Sequence, residues 1–198
     1  MVGDCYYLSS ESAASEVSSR VKNMFITDYT PQGMIVVRAI VLGVPTYITL
    51  DDTLAFYKSM PSTLAFSRPE SSTNPSIYTA FLEKAWIKAN GNVDTVEGGW
   101  IGEVMQFFAG TPTVTYWVKY NDATASLADW NRVNSADQVN WVMIAGTYSD
   151  SLNCTNSYTK IGLVCSHAYT ILSTHNVSDA AGKSYLLYKI RNPWGSDD

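Results

Sequence analysis

Gly162-Leu163-Val164-Cys165-Ser166-His167-Ala168-Tyr169-Thr170-Ile171-Leu172 sets one histidine inside an apolar, β-branched run of strand length. A second run, Tyr185 to Ile190, ends in Arg191-Asn192-Pro193-Trp194-Gly195, and Asp179-Ala180-Ala181-Gly182-Lys183 turns between the two. Upstream, Trp141 to Tyr148 reads as another strand. Thr113 to Tyr120 alternates, with Val114, Tyr116, Val118 and Tyr120 on one side, as a half-buried strand should. Residues 127–139 suit a helix. The C-terminal half is therefore mostly strands.

The N-terminal half reads differently. Residues 5–22 suit a helix whose first turns hold Tyr6, Tyr7 and Leu8, with a Ser/Ala/Glu face expected to meet water. Met34 to Val41 and Pro45 to Leu50, punctuated by Gly43, read as a hairpin. Residues 58–74 carry Ser, Pro and Asn clusters and read as a loop. Asn74-Pro75 is an N-cap pair for a helix with Ile77, Tyr78, Phe81, Leu82, Ala85 and Trp86 on its apolar face, stopped at Asn90-Gly91. A short helix follows Gly98-Gly99 and ends near Gly110. The break at 110–112 divides the chain into a helical lobe, 1–110, and a β-rich lobe, 111–198.

Composition narrows the function. The chain has 198 residues, 46% hydrophobic and 16% charged, enough apolar mass for a large core and too little charge for disorder. Its net charge is −5 and its isoelectric point about 4.9. A field of that sign repels phosphate backbones and anionic lipid, so nucleic acid is not an expected partner. No stretch reaches the ~20 apolar residues of a spanning helix, and Met1-Val2-Gly3-Asp4-Cys5 has no signal-peptide pattern. Three cysteines, Cys5, Cys154 and Cys165, are an odd and sparse set. They argue against a disulfide framework and for a reducing, cytoplasmic setting.

Two histidines exclude a His-rich metal centre, and no phosphate-binding glycine loop joins a strand to a helix. Gly3-Asp4-Cys5 stands out, because it puts a thiol at the head of a helix, where the helix dipole favours negative charge. Each candidate has an ordinary explanation: a cysteine as a small buried residue, His167 as a core histidine, Asn192 as a turn residue. Together they are the types that thiol acyl transfer needs. Cysteine attacks, histidine takes its proton and later protonates the leaving amine, and asparagine orients the imidazole.

Gly3-Asp4-Cys5, His167-Ala168-Tyr169 and Ile190-Arg191-Asn192-Pro193-Trp194-Gly195 resemble the three active-site blocks of the calpain family of cysteine proteases. Leu82-Glu83-Lys84-Ala85-Trp86, Asn90-Gly91 and Glu97-Gly98-Gly99 resemble the helix and Gly-Gly stretch of its first protease lobe, and Thr49-Leu50-Asp51-Asp52 a strand ending in paired acids. The resemblance covers essentially the whole chain. It implies an α+β, papain-like two-lobe core, with a helical N-terminal lobe carrying Cys5 and an antiparallel β C-terminal lobe carrying His167 and Asn192. It further implies a cytoplasmic endopeptidase that holds an extended protein or peptide substrate across the interlobe cleft. Trp194 would shield the His167–Asn192 bond from water. Additional domains outside this chain are expected.

Three departures qualify the resemblance. Tyr6 stands where the family has tryptophan. The family's oxyanion-hole glutamine lies six residues before the cysteine, whereas Met1 is the fourth residue before Cys5. The family also continues beyond the Asn-Pro-Trp-Gly block with strands that close the β lobe. The chain as written is therefore expected to be truncated at both ends and a poor protease. Family calcium sites would involve Ser76 in the first lobe and Asp198 in the second, so calcium is the implied cofactor, with an incomplete ligand set. The rival expectations are a catalytically weak or inactive calpain-fold binding module or gene fragment, and another papain-like thiol acyltransferase.

Overall fold

A computed structural model describes residues 3–68, 77–118, 123–147 and 161–195. The chain divides into two compact units, Met1–Thr113 and Val114–Asp198. Both mix helix with antiparallel sheet.

The first unit opens with α1 (Cys5–Ser15) and α2 (Ser18–Lys22). The single helix that the sequence predicts over 5–22 is thus two. It breaks because Val17, β-branched, takes an extended conformation (φ −106°, ψ 97°) between them. The face of α1 expected to meet water is buried: Ser9, Ser10, Glu11, Ala13 and Ala14 all lie inside. Ser10 Oγ donates to the Tyr6 carbonyl (2.7 Å) and Ser15 Oγ to the Ser12 carbonyl (2.8 Å). A serine whose hydroxyl is satisfied by its own helix can be buried like alanine, which composition alone does not reveal.

Next come β1 (Phe25–Ile26), a 3-10 turn (Thr27–Gln32), β2 (Met34–Val41) and β3 (Val44–Asp51), an antiparallel sheet in that strand order. The expected hairpin pairs Val41 with Val44. Leu42 and Gly43 both take positive φ (51° and 81°), the two-residue turn whose twist matches the strands. β4 (Phe56–Tyr57), just before the expected loop, and β5 (Met60–Leu64), within it, form a small second hairpin. The Asn74-Pro75 cap and Ser76 lie outside the described residues.

α3 (Tyr78–Asn90) and α4 (Ile101–Ala109) complete the unit. Gly110 closes α4 in the left-handed conformation that favours glycine (φ 63°). The core is aromatic where α1, α3 and α4 meet. Tyr7 stacks on Trp86 (5.6 Å between centroids), and Trp86 meets Phe107 edge-on (5.0 Å). Trp86 Nε1 donates to the Tyr6 hydroxyl (3.3 Å), which donates to the Val96 carbonyl (3.1 Å). Val36, Val37 and Ala39 of β2 and Ile48 and Leu50 of β3 are buried in the same unit.

Residues 113–118 form no strand, and Val114, Trp117 and Val118, which open the second unit, are exposed. Alternation alone does not make a strand without a ladder partner. Helix α5 (Ala123–Asp137) covers most of the expected helix. β6 (Ile144–Gly146), β7 (Ala168–Ser178) and β8 (Ser184–Arg191) form an antiparallel sheet in that order. β6 is shorter than the expected strand. Asp179 builds the β7–β8 turn: its Oδ1 accepts from the backbone N–H groups of Ala181 and Lys183, both at 2.9 Å. The carboxylate is held below its ordinary range, first by the Lys183 N–H. Asp137 Oδ2 accepts from the Thr174 backbone N–H (2.8 Å) and ties α5 to β7.

Cys165 is disulfide-bonded, so the expectation of wholly reduced cysteines does not hold. A cysteine count does not report which sulfurs the fold brings into range. Among the described residues, no helix is long and apolar enough to cross a membrane.

Candidate active site

Cys5 is the first residue of α1, a half-buried free thiol. The Asp4 carbonyl starts the helix by accepting from Tyr7 N–H (2.8 Å) and Leu8 N–H (3.1 Å). The Gly98 N–H donates to the Gly3 carbonyl (2.9 Å), so the Gly-Gly stretch is tied to the segment leading into Cys5. A Cβ on Gly99 would sit 2.5 Å from Tyr6 Cζ. Tyr6 has little room to retreat, being buried and hydrogen-bonded at its hydroxyl. Gly99→Ala is therefore expected to destabilise the protein by about 1–3 kcal/mol through overpacking. Urea denaturation checks this, with Gly146→Ala as the comparison, since a Cβ there meets nothing within 4 Å.

The Asp4 side chain does not cap its own helix. It turns inward and meets the Glu83 carboxyl, with Glu11 close by and both partners buried. Burial first, and then the Glu83 charge, push the Asp4 carboxyl up to about 8. Burial pushes Glu11 well above its ordinary value, helped by Glu83 and Asp4. Glu83 Oε2 accepts from the Ser67 backbone N–H (2.6 Å). Asp4 Oδ2, Glu11 Oε1 and the Tyr7 hydroxyl are buried without a hydrogen-bond partner among the described residues. Carboxyls that hydrogen-bond one another need a proton between them, so this cluster is a proton-holding part of the core. No local pattern in the sequence announces it, because its members come from two separate stretches, the head of α1 and the middle of α3.

His167 and Asn192 belong to the second unit. The sequence places His167 inside a strand, but it stands one residue before β7, because Ser166 takes a left-handed φ of 51° and interrupts the extended run. The imidazole is buried (4% exposed). Its Nε2 lies 2.9 Å from Asn192 Oδ1, just past the end of β8. Oδ1 also accepts from the Trp194 backbone N–H (3.2 Å). A backbone N–H can only donate, so that second contact fixes the amide orientation, with oxygen toward the histidine. An acceptor oxygen requires the proton on Nε2, which leaves the Nδ1 lone pair open in the neutral ring. The Trp194 ring lies 4.5 Å from the imidazole, and the Tyr169 ring meets it edge-on at 4.9 Å. His167, Asn192 and Trp194, three of the four candidates from this half of the sequence, thus lie together. Tyr169 forms a further wall of the imidazole pocket. Its place in the His167-Ala168-Tyr169 block is the one sequence signal for it.

Calcium is the expected cofactor, and one of the residues named for it, Ser76, lies outside the described residues. Among the described residues, no three His, Cys, Asp or Glu side chains are grouped to hold a metal ion. Asp51, of the paired acids, is bound by Lys84 Nζ (2.8 Å), which holds its carboxylate below the ordinary range. Asp198 lies outside the described residues.

The first unit supplies a thiol at a helix head. The second supplies an asparagine-bound histidine with a tryptophan against the ring. The chain matches the family model described as calpain family cysteine protease over residues 1–198, and it belongs to that family. It is 26% identical over 200 residues to the calpain-type cysteine protease DEK1 of Zea mays, an alignment covering 99% of this chain and 9% of that protein. It is 28% identical over 136 residues to calpain clp-4 of Caenorhabditis elegans (64% of this chain, 17% of that protein). It is 34% identical over 121 residues to human calpain-14 (59% and 16%). The chain thus spans only about a tenth to a sixth of the length of these relatives.

Proposed function

We propose that this chain is a peptidase core that hydrolyses peptide bonds of protein substrates through Cys5, His167 and Asn192. The observation that supports it most is the ordered pair in the second unit: Asn192 holds Nε2–H and leaves Nδ1 as the base. Cys5 Sγ attacks the peptide carbonyl carbon as its proton passes to His167 Nδ1. The carbonyl oxygen becomes an oxyanion, and Cys5 N–H, one of the helix-head donors without an intrahelical acceptor, is available to bind it. Collapse of the intermediate breaks the C–N bond, and the leaving amine takes the proton from Nδ1. Water, deprotonated by the same nitrogen, then cleaves the thioester and returns the thiol. Trp194 covers the imidazole and keeps water from competing for the Asn192 oxygen.

The test is labelling of the protein with a peptidyl epoxide, mapped by mass spectrometry, beside hydrolysis of a fluorogenic peptide. Adduct on Cys5 and turnover abolished by Cys5→Ala are expected. A native protein that binds peptides but neither labels nor cleaves them would be a binding module instead. Calcium dependence enters this reading through family membership. Running both assays with calcium and with a chelator tests it.

A further inference from the structure

We propose that Thr147 is a positioning residue for His167, its hydroxyl holding the backbone that aims the imidazole. The inference rests on the peptidase reading above. The β6–β7 ladder ends at the Gly146–Ala168 pair. One step on, Thr147 N–H still donates to the His167 carbonyl (2.9 Å). The return bond departs from the ladder: His167 N–H donates to Thr147 Oγ1 (3.0 Å), a side-chain oxygen.

Oγ1 also lies 2.7 Å from the Val164 carbonyl and 3.1 Å from the His167 carbonyl. A hydroxyl has one proton to give. The His167 carbonyl already accepts from Thr147 N–H, and the Val164 carbonyl is nearer, so the proton goes to Val164. Thr147 therefore accepts from His167 and donates to Val164, closing the turn Val164–His167 at both ends. That turn contains Ser166 at φ 51°, a conformation that a serine keeps only when its surroundings impose it. From the other side, Val164 N–H donates to the Tyr169 hydroxyl (2.8 Å), and the Tyr169 ring packs on the imidazole. Val164 is thus held at its carbonyl by Thr147 and at its N–H by Tyr169.

Removing the hydroxyl frees the turn and lets the imidazole leave its aim, and a misplacement of about 1 Å in a reacting group costs roughly 10²-fold in rate. Thr147→Val keeps the shape and removes both bonds. It is expected to lower kcat roughly 10²-fold at nearly unchanged KM, measured below the variant's own melting temperature. Thr147→Ser, which keeps the hydroxyl, is expected to stay within about threefold of the wild type. Wild-type kcat in Thr147→Val, or equal losses in the Val and Ser variants, would overturn the proposal.

A second readout does not need activity. Proton–nitrogen NMR should show a slowly exchanging His167 Nε2–H signal in the wild type, lost or broadened in Thr147→Val and kept in Thr147→Ser. If the wild type neither labels nor cleaves, the peptidase reading fails, and the ring signal still decides the role of Thr147. Should Thr147→Val not fold, Tyr169→Phe removes the other tie on Val164 and should also broaden that signal. An unchanged spectrum there counts against the proposal.

Discussion

Asn192→Ala is expected to lower peptide turnover by roughly 10²–10⁴-fold while leaving the Cys5 thiol open to alkylation. In the structure, Asn192 Oδ1 accepts from both His167 Nε2 and Trp194 N–H. Alanine removes the acceptor that selects the Nε2–H tautomer, so part of the population carries its proton on Nδ1 and cannot act as base. The ring also loses its hold against rotation, although the Tyr169 and Trp194 walls remain. The nucleophile is untouched, so the loss should be smaller than for Cys5→Ala. Steady-state kinetics on a fluorogenic peptide and parallel iodoacetamide labelling separate the two effects. Turnover equal to the wild type would remove Asn192 from the mechanism.

The second large effect is on stability. The first unit is expected to become less stable as pH rises from about 4 to about 8. Asp4 has an ordinary value of 3.8 and is raised to about 8 by burial and by Glu83. Between those values the folded chain keeps a proton that the unfolded chain has released, so folding takes up protons and stability falls with rising pH. Each such proton contributes a slope of about 1.4 kcal/mol per pH unit. The Asp4–Glu83 pair therefore lowers stability progressively as the pH rises through this range. Glu11 is shifted the same way and adds to the slope. Urea denaturation at several pH values measures it. Glu11→Gln, which leaves the residue beside Cys5 alone, should flatten the curve and raise stability at the alkaline end. A pH-independent midpoint in the wild type would contradict the buried proton.

The parts of this protein legible in the sequence are those set by local rules. The β2–β3 hairpin follows from β-branched runs around Gly43, and α4 ends at Gly110 as its glycine suggests. The closeness of His167 and Asn192 was legible because each belongs to one of two neighbouring strand-like runs or its end. What escaped depends on distant partners. Nothing near Glu11 announces that Asp4 and Glu83 will share its interior. The serines of α1 look wet until their hydroxyls are seen to bond their own helix. The alternation at 113–118 is as regular as that of a true strand, but it has no ladder among the described residues. Thr147 resembles any strand-end threonine until the left-handed turn at Ser166 brings Val164 and His167 to its oxygen.

The group that holds the imidazole is an amide, and an amide does not titrate. When Nδ1 gains a proton, Nε2 keeps its own and goes on donating to the same Asn192 oxygen. The ring can thus alternate between neutral and cationic forms with no heavy atom moving and no hydrogen bond exchanged. A carboxylate in that place would bind the cation far more tightly than the neutral ring, and each proton transfer would change the strength of the grip. In the mechanism proposed above, a neutral oxygen would let the clamp change far less over the cycle than a carboxylate would, so the cost of arranging it would be met once, when the second unit folded.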